Sequence, residues 1–351
     1  MRNFQHGPKM LKIIVLSAFL FSCQTQDPFL SQAELITSDA TRFYEAIDTS
    51  KNVLLLSTYK LQAHALPEQE LLKHLTDAVQ RGVEVSVIGE DRLSPEERRA
   101  STGSSKQDAV GAFTQGGVRL IPSQIFEGSH MKLALFDPKQ KDGFAILGTT
   151  NFDKSFVQRE SDGSEILTRD FSVMIHKREN LEAFEQLETV FRHDALGKDV
   201  TQEMRQGPLI WGPHHNDRYL EFLSQAKKRI DIYQQDFTDS RFVDAVIAAS
   251  ERGVKVRILM SRFPFGKKHG NKSEQAQKRM LEKGQGRILV HLTERLHVHA
   301  KVLMIDGEVL ILSSLNFYQP DIDSQRNLGI VVRNADVLKK VTETFQSDWD
   351  M

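Results

Sequence analysis

His299-Ala300-Lys301-Val302-Leu303-Met304-Ile305-Asp306, running on through Gly307-Glu308-Val309-Leu310-Ile311-Leu312-Ser313-Ser314-Leu315-Asn316, decides the reading of this 351-residue chain. Asp-Gly between two apolar runs is a strong hairpin signal, so the stretch reads as two short strands joined at Asp306-Gly307. Side chains two apart on a strand share a face. His299 therefore stands beside Lys301 on the first strand, and Ser314 beside Asn316 at the end of the second. An imidazole, an ammonium, a hydroxyl and an amide meet in one patch, which suits gripping a phosphate and attacking its phosphorus.

The pattern occurs twice. His130-Met131-Lys132 is followed by Asp137, five residues beyond the lysine, as Lys301 is followed by Asp306. A strand from Phe144 to Leu147 leads into Gly148-Thr149-Thr150-Asn151, with Thr149 where the other copy has Ser314. The two histidines are 169 positions apart. One His-x-Lys says little, but two copies with the same acid and the same hydroxyl-x-Asn at repeat spacing mark a duplicated unit. These residues resemble the signature of the phospholipase D superfamily, His-x-Lys-x4-Asp followed by Gly-Ser-x-Asn, normally present twice per site.

Hydrophobic patterning on either side supports a duplication. In the first half a buried strand at 53–56, a helix opened by Pro67 and ended at Gly82, and a strand at 83–88 predict a right-handed parallel crossover. A closing helix is expected over 180–191. Residues 198–212, with Gly207-Pro208 and Gly212-Pro213 as breakers, read as a connector. The plan then repeats, ending in a helix over 337–345. The fold class is α/β: two homologous lobes, each a mixed, mostly parallel β-sheet flanked by helices, packed as a pseudo-two-fold dimer. The expected division is 1–22 leader, 23–197 first lobe and 198–351 second lobe. Neither lobe alone offers both an acid and a nucleophile, so the active site belongs at the interface, in a chain that is monomeric.

A phosphodiester needs its charge neutralised, a nucleophile supplied and its leaving oxygen protonated. Lys132 and Lys301 supply fixed charge. Asn151 and Asn316 supply amide donors, and Thr149 and Ser314 hydroxyl donors, for the non-bridging oxygens. One histidine, neutral, attacks to form a phosphohistidine. The other, protonated, delivers the proton to the leaving group and then activates water or an alcohol. Two histidines at one phosphate titrate as a pair. Asp137 and Asp306 sit at strand ends and read as turn and lobe-positioning groups of the catalytic motif rather than as proton carriers. In the family resembled, a downstream acid orients a catalytic histidine. Arg169-Asp170-Phe171 and Arg326-Asn327-Leu328 occupy the equivalent places. The second lobe thus lacks the carboxylate unless Asp321 or Asp323 substitutes, which leaves open which histidine attacks. First-lobe attack is usual in resembling single-chain enzymes and favours His130. No cofactor is implied. His297-x-His299 offers a metal pair as an alternative, but Gly128 stands in the matching place of the first copy. His214-His215 reads as a loop or helix entry.

Forty per cent apolar and 26% charged residues are those of an ordinary globular protein. A net charge of −1 argues against a dedicated nonspecific nucleic-acid binder, which is strongly basic. The single cysteine, Cys23, excludes an intrachain disulfide. It follows an apolar run, Ile13 to Phe21, flanked by Lys9 and Lys12, too short to span a bilayer but suited to a signal segment. Leu20-Phe21-Ser22-Cys23 resembles a bacterial lipoprotein box. That resemblance implies a lipid anchor on Cys23 and, with Gln24 next, retention at the outer membrane of the cell envelope, facing the periplasm. An ordinary secretory signal is the alternative, and Met10 is a second candidate start. Residues 262–287 carry eight Lys or Arg against two Glu. They form either a solvated loop and helix or a rim for a polyanion or anionic bilayer.

The resemblance implies hydrolysis or transfer of the phosphatidyl group of phospholipids, with the membrane as anchor and substrate. A metal-independent nuclease is the alternative, with nucleic acid as substrate. A catalytically idle lipid- or polyanion-binding protein is a third reading, which the complete pair of motifs disfavours. Cardiolipin-forming transferases share the chemistry but usually carry spanning segments, which do not appear after Cys23.

Overall fold

The structure is a computed structural model that describes residues 29–37, 40–60, 66–90, 111, 113–152, 157–159 and 165–351. The leader with Cys23 and the charged excursion read at 94–105 lie outside the described residues. The first lobe contributes β1 (Glu34–Thr37), β2 (Val53–Lys60), β3 (Glu84–Glu90), β4 (Arg119–Pro122), β5 (Leu133–Phe136), β6 (Phe144–Gly148), β7 (Val157–Arg159), β8 (Glu165–Arg169) and β9 (Phe171–His176). The second contributes β10 (Leu209–Trp211), β11 (Arg229–Tyr233), β12 (Lys255–Ser261), β13 (Ile288–Thr293), β14 (Leu296–Val298), β15 (Val302–Ile305), β16 (Val309–Ser313) and β17 (Leu328–Val332).

Two seven-stranded sheets result, in the orders β1-β9-β6-β5-β2-β3-β4 and β10-β17-β16-β15-β11-β12-β13. The orders correspond strand for strand, so the duplication read from the motifs extends through the whole fold. Each sheet is mixed and flanked by helices, as expected, but the expected balance is corrected. Only β2–β3–β4 and β11–β12–β13 run parallel; the other pairings are antiparallel. The motif hairpins cause this, because a short turn can join only antiparallel strands. A second correction concerns the connector: Leu209–Trp211 is the edge strand of the second sheet, pairing with β17.

Apolar residues on the strands sort by parity. Leu133 and Leu135 face the core shared by the lobes, whereas Ala134 and Phe136 face the first lobe's own core. Val302 and Met304 face the shared core, and Leu303 and Ile305 the second lobe's core. The helices Leu181–Asp194 and Ala335–Trp349 feed that shared core with Phe184, Leu187 and Val190 and with Val337, Val341 and Phe345. A small third sheet, β14-β8-β7, stitches the lobes directly: β14 of the second runs parallel to β8 of the first, Leu296 opposite Leu167.

The described chain enters against the second lobe. Leu30 bridges Val332, with Leu30 N donating to Val331 O (2.9 Å) and Arg333 N to Leu30 O (2.9 Å). The Arg333 guanidinium covers the Phe29 ring at 3.6 Å. Among the described residues, no helix is long and apolar enough to cross a membrane.

Candidate active site at the lobe interface

The His-x-Lys triplets do not lie on the strands, as the hairpin reading had them. They form the irregular approach to them: regular β5 starts at Leu133 and β15 at Val302. Each lysine turns back onto its own triplet. Lys132 Nζ donates to His130 O (2.7 Å), and Lys301 Nζ to His299 O and to Gln235 Oε1 (3.1 Å). Both lysines and both histidines are buried.

The two acids of the repeat lie at the other end of these strands. Asp137 and Asp306 have φ of 47° and 57°, a conformation aspartate tolerates in turns. Asp137 accepts from the N–H groups of Lys51, Asn52 and Val53 at 2.6–2.9 Å. Asp306 accepts from Lys227, Lys228 and Arg229 at 2.7–2.9 Å. Burial works against the charge of Asp306, but those three N–H groups hold its carboxyl below the usual range. These acids clamp the hairpin to the start of β2 or β11. A whole four-residue strand, about 13 Å long, lies between each of them and its His-x-Lys triplet, which corrects their inclusion among catalytic groups.

The dipeptides Arg169-Asp170 and Arg326-Asn327 build the site across the interface. Arg326 O accepts from His130 N (2.8 Å), and Arg169 O from His299 N (3.1 Å) and Ala300 N (2.8 Å). Each residue following the arginine then reaches the ring of the histidine from the other lobe. Asp170 places Oδ1 and Oδ2 at 2.8 and 3.0 Å from His299 Nδ1. Asn327 places Oδ1 at 3.3 Å from His130 Nδ1. Both arginines are themselves held across the interface, by aspartates near the ends of the two closing helices. Arg169 makes a bidentate pair with Asp348 at 2.7 Å, and Asp348 also accepts from Tyr233 OH (2.6 Å). Arg326, fully buried, binds Asp194 (3.2 Å), Asp199 (2.7 Å) and Gly212 O (2.6 Å).

Thr149 and Ser314 are committed elsewhere than to a phosphate. Thr149 Oγ1 donates to Asp170 Oδ1 (2.6 Å) and accepts from Phe171 N (2.9 Å). Ser314 Oγ donates to Asn327 Oδ1 (3.0 Å) and accepts from Leu328 N (3.0 Å). These fully buried hydroxyls hold the orienting side chains, a correction to their expected contact with substrate. The amides differ in what they leave open: Asn316 Nδ2 donates to Asp321 Oδ2 (2.7 Å), while Oδ1 of both Asn151 and Asn316, an acceptor, is buried with no hydrogen-bond partner among the described residues.

Electrostatics separate the histidines. Burial, then the charges of Lys132 and Lys301 and the neighbouring His299, push the His130 imidazole well below its ordinary range. The Tyr59 ring packs edge-on against it at 4.5 Å. His299 instead faces a carboxylate, which stabilises the imidazolium formed when the ring takes a second proton. Asp321, on the short helix Gln319–Ser324, comes within 3.6 Å of His130 Nδ1. The exposed Asp323 pairs with Arg241 (2.8 Å). His297 stacks on His299 with ring centroids 6.4 Å apart, and no cluster of three or more potential ligands for a metal occurs among the described residues.

The family model described as cardiolipin synthase, PLD-like domain matches residues 43–194 and 219–349, one copy for each lobe. The chain belongs to the phospholipase D superfamily. Among curated proteins it is similar to cardiolipin synthase 1 of Staphylococcus epidermidis, 21% identical over 92% of this chain and 69% of that protein. It is also similar to the minor cardiolipin synthase ClsB of Bacillus subtilis (25%, over 49% of this chain and 46% of that one). A third relative is the mitochondrial cardiolipin hydrolase of Chlamydomonas reinhardtii (25%, over 40% and 59%). The chain spans about half the length of the last two. Among solved structures, phosphatidylserine synthase of Haemophilus influenzae shares the fold, with a TM-score of 0.66 at 15% identity over 92% of this chain and 87% of that one. In this phospholipase D-like chain the basic loop begins at Arg262, at the end of β12 nearest the histidines, where Ser261 Oγ accepts from Val298 N (2.6 Å). Arg262 pairs with Glu294 (2.7 Å) and Arg279 with Asp244. Lys267, Lys268 and Lys272 are exposed, and Lys272 lies over the exposed Phe265 ring at 4.8 Å.

Proposed function

We propose that this chain transfers the phosphatidyl group of phospholipids, to water or to an alcohol, through a phosphohistidine on His130. The observation that carries this reading is the cross-lobe arrangement of two His-x-Lys histidines, each with Nδ1 held by the opposite lobe. Neutral His130 attacks phosphorus through Nε2 while the phosphorus–oxygen bond to the leaving alcohol breaks. His299, carrying the proton on Nε2, gives it to the departing oxygen. His299 then takes the proton of an incoming water or alcohol, whose oxygen attacks phosphorus as the bond to His130 breaks. Lys132 and Lys301 neutralise the phosphate, with Asn151 donating to its oxygens.

Two things support a lipid substrate. The relatives' names concern cardiolipin, and the loop after β12 presents Phe265 among exposed lysines at the catalytic end, a combination suited to an anionic headgroup layer. The test is head-group release from mixed phosphatidylethanolamine and phosphatidylglycerol vesicles, with ethanol present to trap the phosphatidyl group as phosphatidylethanol. Both products are expected, and both should survive chelator; loss to chelator with recovery on zinc would transfer the case to His297 and His299. Cleavage of single-stranded DNA or RNA with neither lipid product would establish the nuclease reading instead. Location belongs to the same proposal: a lipid on Cys23 would hold the enzyme in the cell envelope. Cys23→Ser should then move it from the membrane fraction to the soluble one or block maturation.

A further inference from the structure

The second lobe has an amide, Asn327, where the first has the carboxylate Asp170. An amide can orient His130 but cannot balance charge on it. The direction of that orientation is fixed by the surrounding bonds. Asn327 Nδ2 donates to Asp321 O (2.8 Å) and Gln325 O (3.3 Å), and Ser314 Oγ donates to Oδ1, so it is the amide oxygen that faces His130 Nδ1. The second atom near Nδ1 is also an acceptor, Asp321 Oδ2 at 3.6 Å. With two acceptors facing it, Nδ1 carries the hydrogen and Nε2 the lone pair. Asp321 is 4% exposed, and it is locked in place: Asn316 donates to the same Oδ2 through Nδ2 (2.7 Å) and backbone N (3.2 Å). A buried carboxylate fixed this close to a histidine ring is costly unless charge answers it.

We propose that Asp321 supplies, from the helix before β17, the carboxylate that position 327 lacks, so that it positions His130 and balances the charge the ring gains on attacking phosphorus. The proposal rests on His130 acting as the nucleophile. Each catalytic histidine then has its own carboxylate, one in the repeat position and one six residues before it. Asn316, a repeat residue, becomes the link that holds the displaced acid.

The groups facing this pair from the packed elements are Lys132, Lys301, His299, Tyr59 and Tyr318. Burial raises the Asp321 carboxyl to about 6, against the lowering effect of Asn316, Lys132 and Lys301. Asp321 therefore gains its charge as pH rises through about 6. Turnover that needs that charge falls on the acid side of the same value.

The test combines kinetics on bis(4-nitrophenyl) phosphate, as a probe independent of the lipid question, with NMR titration of isotope-labelled histidines in the whole protein. In the unaltered protein the neutral His130 ring should carry its hydrogen on Nδ1, and its signals should report a carboxyl titrating near 6. Asp321→Asn should lower kcat by roughly 100-fold and remove the acid limb of the pH profile. Restoring a carboxylate at the repeat position, in Asp321→Asn with Asn327→Asp, should recover at least about tenfold of that loss. Asp323→Asn, altering an exposed acid two residues away, should leave kcat and the profile unchanged. A neutral His130 with its hydrogen on Nε2 would overturn the proposal without any variant, and so would an Asp321→Asn enzyme within threefold of the original with its acid limb intact. If the probe is not cleaved at all, the function proposed above fails, while the NMR arm still decides whether Asp321 governs His130.

Discussion

The two halves of the site are built to one plan and finished differently. His299 is held by Asp170 in two contacts of 2.8 and 3.0 Å, and His130 by Asn327 in one of 3.3 Å. The arginine beside Asp170 keeps part of its side chain in water and pairs with Asp348; the arginine beside Asn327 has none and is enclosed by Asp194, Asp199 and a carbonyl. Even the strand crossing behind each site is exchanged. Gly148 opposes Ser172 in the first lobe, and Ser313 opposes Gly329 in the second. A Cβ on Gly148 would come within 2.3 Å of Phe171 O, and one on Gly329 within 2.1 Å of Tyr219 OH. After duplication, backbone order and triplets were kept, whereas the charge around each histidine diverged. In the proposed reaction the two histidines hold opposite protonation states at one phosphate, which such divergence would serve.

The largest effect should come from removing either histidine. His130→Ala and His299→Ala should each cost roughly three decades of turnover or more, and the double variant little beyond that, because the pair acts as a unit. Steady-state and single-turnover rates on vesicles check this. Additive losses would mean that the two rings work independently.

The arginines should separate next, in stability. Arg326→Ala strands the fully buried Asp194 and should cost roughly 3–5 kcal/mol, while Arg169→Ala, partly open to water, should cost clearly less. Urea midpoints measure both. Burial raises Asp194 to about 7 despite Arg326, whereas the unfolded carboxyl titrates near about 4. The folded state thus binds the extra proton between those values, and stability should fall as pH rises through that window. Asp321 acts in the same direction. Asp194→Asn should reduce the slope, and a flat profile in the unaltered protein would refute this reading.

A smaller effect is expected at the orienting positions. Asp170→Asn should lower kcat by roughly two decades with little change in melting temperature, since Thr149 can still bond the amide. Asn327→Asp should stay within about tenfold of the original. Equal losses in the two variants would show that the lobes are equivalent in chemistry as well as in fold.

The motif residues could be read from sequence because their spacing is local: His, Lys and Asp recur at fixed intervals, and a hydroxyl-x-Asn follows the next strand in each copy. The turn role of Asp137 and Asp306 was visible for the same reason. What spacing cannot carry is partnership across an interface. Nothing in the order of residues says that Asp170 faces His299 rather than His130, or that Asn316 holds Asp321. Thr149 and Ser314 were misread as substrate donors because a hydroxyl beside a catalytic amide looks the same whether it faces a phosphate or a neighbouring strand. The parallel crossover at β2–β3 has a helix to announce it; the antiparallel edge strands at 34–37 and 209–211 are too short for any period to show.

The docking of Leu30 beside Val332 has a consequence for how the molecule is leashed. Asn327 begins the approach to β17 at the histidines, and Val332 ends that strand about 16 Å away, so the chain arrives at the back of the domain. Cys23 precedes Phe29 by six residues, which span at most about 21 Å. A lipid on Cys23 would therefore tie the enzyme down by the side opposite its histidines. Diesters close to the anchor would be the hardest to engage, and those on a facing surface, or in the same leaflet once the domain has tipped onto its flank, the easiest. Reach, rather than affinity, would then decide which membrane is the substrate.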